Sequence, residues 1–225
     1  MIVSRDNEKL KLVRKLADRR WRDKLGLFVA EGEDLVDAAR AAGIEPVELL
    51  VAGEDVAPEL LAEVSSLAHP PRVVGVFRRD DLPRGVRART LALWHVGDPG
   101  NVGTLLRTAD VFGAGIALSP GCADPTGPKA LRASMGAVFR VPTVGFEEAP
   151  QPWLALVPRE GTPLAELELG ETVTFVLGAE RDGLPEDVLV RCEARATIPS
   201  PGLADSLNVA AAGAIALYEA VRSAV

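Results

Sequence analysis

Apolar and polar positions along the chain change period repeatedly, and each change marks an element. Residues 4–20 carry Leu10, Leu12, Val13 and Leu16 among charges, the spacing of a basic amphipathic helix. LGLFVAEG (25–32) predicts a short strand, followed by a helix over 33–42 that Gly43 ends. The apolar β-branched runs 47–51 and 72–77 read as strands, with a helical stretch over 58–67 between them. DLPRGVRAR then breaks the pattern with Pro, Gly and charge, which divides the chain into units of 1–86 and 87–225. Alternation restarts at Leu91. Strands are predicted over 91–96, 115–120, 138–144, 153–157, 172–177 and 196–198, and helices over 104–112, 129–135 and 206–225. Strands alternating with helices predict an α/β fold whose C-terminal unit holds a mainly parallel sheet covered on both faces.

Composition narrows the class. Aromatic residues make up 4 % of the chain against 48 % hydrophobic residues, so the core is aliphatic. No apolar run approaches the roughly 20 residues of a membrane span. The charged start of MIVSRDNEKLKL does not read as a secretory signal, and two cysteines, Cys122 and Cys192, make no disulfide framework. These features together predict a cytoplasmic protein. The net charge of −7 argues against a polyanion partner until it is resolved along the chain. Residues 1–24 hold nine basic and four acidic side chains, and residues 78–89 hold five arginines and two aspartates. Local patches of this kind, rather than the total, set the field that a phosphate backbone meets, although such runs also serve as plain solvated surface.

Candidate chemistry concentrates in three glycine-rich segments at predicted strand ends, where ligands sit in parallel α/β sheets. GDPGNVGTLLRTADVFGA (97–114) carries Asn101 near a helix start and Arg107 two turns further on. VLGAERDGLPEDVL (176–189) places Glu180 between Gly178 and Gly183. IPSPGLADSLNVAAAGAIAL (198–217) brings Ser206 and Asn208 to a helix start. Each has an ordinary structural alternative: Asn101 and Ser206 also suit helix N-caps, Glu180 a loop surface, and Arg107 the outside of an amphipathic helix. The chain has no GxxxxGK[ST] loop, no G-x-G-x-x-G after a strand, no zinc-ligand spacing and no G-x-S-x-G elbow, and it has two histidines, His69 and His95. The chemistry predicted is therefore free of metal and of histidine.

Taken together, the three segments resemble the sequence motifs of SpoU-type RNA 2′-O-ribose methyltransferases in the knotted SPOUT superfamily. Asn101-Val-Gly103 with Arg107-Thr108-Ala109 is similar to the first motif, and Gly178, Glu180, Gly183 and Leu184 to the second. Ile198-Pro199, Gly202 and Ser206-Leu207-Asn208-Val209 are similar to the third, over a span of 91–222. Ala179, Ser200 and Ala210 depart from common family residues. RDKLGLFVAEGEDLV (22–36) also resembles the small ribosomal-protein-like substrate-binding domain of rRNA-directed members.

The resemblance implies a deep trefoil knot, a homodimer using the Ala-rich closing helix, and S-adenosylmethionine (AdoMet) as cofactor. It assigns cofactor contacts to Leu177, Gly178, Ile198, Pro199 and Leu207, with Asn101, Arg107, Glu180, Ser206 and Asn208 as catalytic residues. It further implies an RNA partner, with large-subunit rRNA ahead of tRNA. A guanidinium holds its proton at neutral pH, so Arg107 suits phosphate holding and alkoxide stabilisation better than proton abstraction. A non-catalytic RNA-binding protein and an enzyme using another nucleotide cofactor are the competing expectations.

Overall fold

Side-chain caps divide the first apolar-periodic stretch. In the computed structural model, which describes residues 1–200, 202 and 206–222, the single helix predicted over 4–20 is two. Asn7 accepts the Lys9 N–H to open α1 (Glu8–Leu16), and Asp18 accepts the Arg20 N–H to open α2 (Arg19–Leu25). An antiparallel sheet follows, built from β1 (Leu27–Glu31), β2 (Glu48–Val51) and β3 (Val73–Arg78) in the order β1-β3-β2. Alternation along these strands sends Val29, Val74 and Val76 toward Leu10, Val13 and Leu16 of α1 and toward Leu60 and Leu61 of α4 (Pro58–Val64). It sends Phe28, Ala30 and Phe77 the other way, toward Leu35, Val36 and Ala39 of α3 (Glu33–Ala41).

That second face is shared with the C-terminal half. The rings of Phe28, Phe77 and Phe139 lie 5.4–6.0 Å apart, so three of the six phenylalanines fasten the small sheet to the turn ahead of β6 in the C-terminal half. Gly136, at φ +80, is pressed so closely to α3 that an added Cβ would stand 2.4 Å from the Ala38 Cβ. Phe139 also explains a departure from expectation. Ala137–Phe139 forms a 3-10 turn that buries Val138 and Phe139, leaving only β6 (Thr143–Gly145) of the strand predicted over 138–144. A short apolar run does not distinguish the two conformations.

The large sheet has seven strands in the order β6-β5-β4-β9-β7-β10-β8, with every pairing parallel. Its centre is β4 (Arg89–Leu93), β5 (Gly115–Leu118), β7 (Trp153–Leu156) and β9 (Val173–Leu177), with β8 (Thr162–Pro163) and β10 (Ala194–Thr197) on one side. On one face Leu91, Leu93, Phe175 and Leu177 pack against α5 (Pro99–Phe112) and α8 (Val209–Arg222). On the other, Ala92, Ala117 and Val176 meet Phe146, Trp153 and Val188, the last from α7 (Glu186–Leu189). Short β8 and α7 carry no sequence pattern that announces them. Of the helix predicted over 206–225, residues 209–222 are helical and the last three lie outside the described residues.

A buried polar knot sits where α2 meets the loop between β5 and α6 (Pro128–Ser134). Arg22 donates from Nε to Asp124 at 2.8 Å, and from Nη1 to the Leu16 and Ala17 carbonyls at the end of α1. Arg79 reaches the same Asp124 oxygen at 2.7 Å, together with Thr126 and Asp23. Burial alone would raise the Asp124 pKa, but hydrogen bonds from Thr126 and Arg22 and the charge of Arg79 together hold it below the ordinary aspartate value.

Candidate active site

The carboxyl ends of β4 and β9 lie side by side, with Leu93 opposite Leu177. The Trp94 N–H continues the ladder to the Leu177 carbonyl at 2.8 Å. His95 then takes φ +52, which ends the strand predicted over 91–96 at Leu93 and turns the chain toward α5. Asp98 is the cap of α5: it accepts the Asn101 N–H at 3.0 Å, and Pro99 follows at the first helical position. The helix accordingly begins five residues before the predicted Thr104, and Asn101 is not its cap. That leaves the Asn101 side chain free for tertiary contacts.

Those contacts join the three candidate segments. Asn101 Nδ2 donates to Glu180 Oε1 at 2.8 Å, and Asn101 Oδ1 accepts from Asn208 Nδ2 at 3.0 Å. Asn208 Oδ1 in turn accepts the Ala210 and Ala211 N–H groups at 2.9 and 3.3 Å, so Asn208 caps α8. The polarity of this chain is set at both ends. A carboxylate only accepts and a helix amino terminus only donates, so each asparagine amide between them has one permitted orientation.

Glu180 is presented by a tight loop. Gly183 donates back to the Ala179 carbonyl at 3.0 Å, folding the loop over Gly178, where an added Cβ would stand 2.3 Å from the Gly183 carbonyl carbon. Leu177 is buried at the end of β9, and Ile198 packs partly buried against the main core. Pro199 is exposed, and Leu207 keeps 44 % of its surface open just ahead of α8.

Two predicted catalytic residues are not drawn into the chain. Ser206 is exposed and precedes α8 by three residues, so it is not the N-cap. Arg107 is exposed in the second half of α5 and, among the described residues, has no hydrogen-bond or ion-pair partner. Asp98 and Lys129 were not among the expected residues. Lys129 Nζ bonds Asp98 Oδ2 at 2.8 Å, and that bond, followed by the one from the Asn101 N–H, holds the Asp98 carboxyl below its ordinary pKa. The Asp-Pro pair directly before Gly100-Asn101 is a cap signal that points to Asp98. Among the described residues, no group of three or more His, Cys, Asp or Glu is placed to hold a metal ion.

Comparison with known proteins gives a consistent result. The SpoU rRNA Methylase family model matches residues 88–218, and the MRM3-like substrate binding domain model matches residues 7–78. The 23S rRNA (guanosine(2553)-2′-O)-methyltransferase RlmP of Bacillus subtilis (strain 168) is 30 % identical over 242 residues, covering 96 % of this chain and 97 % of that protein. The crystal structure of an AdoMet-bound rRNA methyltransferase from Sinorhizobium meliloti is similar with a TM-score of 0.87 and 29 % identity, over 100 % of this chain and 98 % of that one. The SpoU methyltransferase AviRb from Streptomyces viridochromogenes, in complex with AdoMet, gives a TM-score of 0.85 and 25 % identity, over 97 % of this chain and 98 % of that one.

Proposed function

The chain belongs to the SpoU rRNA methylase family, and from that premise we propose that it methylates a ribose 2′-hydroxyl of large-subunit rRNA, using AdoMet. The observation that carries this reading is the hydrogen-bonded Glu180–Asn101–Asn208 chain at the carboxyl ends of β4 and β9, with Arg107, which has no partner among the described residues, on the helix whose first turn holds Asn101.

The residues suit AdoMet in kind. Leu207 offers an uncovered apolar surface, Ile198 and Pro199 follow the end of β10, separated from β9 by β7, and the folded-back loop at Gly178 presents main-chain polar groups. When bound, AdoMet supplies a methyl group on a sulfonium, whose departure leaves a neutral thioether. The protein's task is then to orient the hydroxyl and to stabilise the negative charge that develops on its oxygen. Arg107 presents its donor fork to the ribose phosphate and to that oxygen. Glu180, through Asn101 and Asn208, fixes the three loops that position both partners, and Ser206 contacts the substrate from the segment ahead of α8.

Several finer features belong to the same reading. Membership of the SpoU family supports a trefoil knot in the C-terminal unit. The outer surfaces of α5 and α8, which expose Val111 at 74 % and Tyr218 at 57 %, support a homodimer. The unit of residues 1–86 acts as the RNA-binding part, and the protein works in the cytoplasm. For phosphate contacts α1 and α2 are the better placed of the two basic clusters. Arg84, Arg87 and Arg89 lie at the amino-terminal ends of β4, β5 and β6, away from the candidate site, and Arg79 is committed to Asp124.

The test is calorimetric titration with AdoMet, NAD and ATP, followed by transfer of tritiated methyl to 23S rRNA, 16S rRNA and tRNA. Selective AdoMet binding and ribose labelling of 23S rRNA are the expected results. Failure to bind AdoMet would overturn the reading in favour of a non-catalytic RNA-binding protein, and labelling confined to tRNA would overturn the choice of rRNA.

A further inference from the structure

Exposed and partly exposed cations on the N-terminal unit differ in whether a carboxylate faces them. Arg5, Lys9, Lys11, Arg40 and Arg72 each face a carboxylate: Glu63, Glu48, Glu8, Glu45, and both Glu33 and Glu54 respectively. Lys15, Arg20, Lys24 and Arg78 face none among the described residues, and all four are exposed. Two of these uncompensated cations converge on an aromatic ring. Lys15 and Lys24 place their ammonium groups 5.3 and 5.1 Å from the centroid of Trp21, which is partly exposed on α2. One turn further along, α2 ends at an open recess of about 380 Å³ lined by Leu25, Gly26, Leu27, Val47, Arg78 and Asp80. Leu25, Leu27 and Val47 supply its apolar surface, and Arg78 and Asp80 add a donor fork and acceptor oxygens.

Resting on the rRNA-methyltransferase reading, we propose that Trp21 and the Leu25–Arg78 recess form a subsite for unpaired nucleotides of the RNA substrate, separate from the ribose that is methylated. An indole face flanked by lysines suits a nucleobase and the phosphates on either side of it. An exposed ammonium–indole contact is weaker than a stacked base, so an incoming base displaces a lysine from the ring, and the freed ammonium pairs with a phosphate. The recess takes the neighbouring base, with Arg78 and Asp80 meeting its polar edge. Bases in a duplex have their faces covered by neighbours, so this subsite requires a single-stranded stretch.

The subsite also has a fixed relation to the candidate active site. Arg19 donates to the Cys122 carbonyl at 3.2 Å and Arg22 is bonded to Asp124, which holds α2 on the loop that follows β5. That loop lies at the same end of the large sheet as Asn101, Glu180 and Asn208, because β4, β5 and β9 run parallel. An RNA strand seated on Trp21 is thus held at a set reach from the reacting ribose.

The experiment titrates the full-length protein with an unstructured RNA 12-mer and with a hairpin of equal length, reading tryptophan fluorescence and binding. It also measures KM for rRNA in wild type, Trp21→Ala, Trp21→Phe and Lys24→Glu, with AdoMet affinity as the control for folding. The single strand is expected to quench the fluorescence and to bind about tenfold more tightly than the hairpin. Trp21→Ala should lose about tenfold in single-strand affinity and raise KM for rRNA about tenfold, Trp21→Phe should restore most of both, and Lys24→Glu should weaken binding with a shallower salt dependence. Equal binding of single strand and hairpin, or an unchanged KM in Trp21→Ala, would overturn the subsite alone. A wild-type protein that transfers no methyl to rRNA would instead overturn the reading on which the subsite rests.

Discussion

Two polar networks in this protein use similar side chains toward opposite ends. At the junction of the two sheets, Arg22 and Asp124 keep 5 % and 9 % of their side-chain surface, and their bonding positions are filled by Arg79, Thr126 and the carbonyls that end α1. At the carboxyl ends of β4 and β9, Glu180, Asn101 and Asn208 join three loops in the open, and Arg107 is left with no partner among the described residues. A charge removed from water must be matched within the protein, which makes the junction rigid and unable to accept a ligand. A charge left in water retains its capacity to bind, because an arriving phosphate or oxyanion displaces only solvent. Full pairing therefore marks architecture here, and the unmatched donor marks the candidate site.

The comparison can be broken most forcefully at the junction. Asp124→Ala strands Arg22 in a buried position, and the expected loss is about 3–5 kcal/mol, read from the urea midpoint. Its pH dependence has a definite sign. Because the folded state holds the Asp124 carboxyl below the ordinary value of about 3.9, its contribution is fully present above that pH and disappears as pH falls through the lowered value. Wild type should therefore lose stability below about pH 4 more steeply than Asp124→Asn.

Arg107→Ala is the complementary test, with methyl transfer expected to fall about 10²–10³-fold while thermal stability and AdoMet affinity stay unchanged. Arg107→Lys keeps the charge without the fork, and should recover only a small part of the rate. A lysine variant of near wild-type activity would remove the bidentate role.

Smaller effects sharpen the contrast. Gly178→Ala sets a Cβ against the Gly183 backbone, which cannot yield as a side-chain tip does, so a cost of about 1–3 kcal/mol and weaker AdoMet binding by calorimetry are expected. Asn208→Ala removes the cap of α8, worth about 1 kcal/mol by thermal denaturation, and releases Asn101. Arg72→Ala should alter stability by less than about 1 kcal/mol, since its partners Glu33 and Glu54 are exposed like itself.

The three segments that the structure brings together at the candidate site are legible in the sequence, and the reason lies in particular residues. Glycine and asparagine at strand ends are needed for local backbone reasons that the chain displays directly, and three such segments mark a shared edge once the sheet is parallel. The Asp98–Pro99 pair is an equally local signal for the start of α5. By contrast, nothing near Asp124 in the sequence reveals Arg22, 102 residues earlier. Phe139 gives no hint of the rings of Phe28 and Phe77, and the run over 138–144 reads as strand because a buried turn and a buried strand present the same apolar side chains.

Local propensity and period acted on stretches of about ten residues. On that scale the sequence by itself determined most helices and strands, the parallel character of the large sheet and the choice of Asn101, Glu180 and Asn208 as candidates. The tertiary structure decided which amide atom of Asn101 faces which partner, and that the 78–89 cluster is split, with Arg78 and Arg79 beside α2 and Arg84, Arg87 and Arg89 at the opposite end of the large sheet. It also decided that the N-terminal unit is welded to the rest through Arg22 and three phenylalanines. Such choices depend on desolvation and close packing between residues far apart in the chain, and those energies exist only once the partners have been brought together.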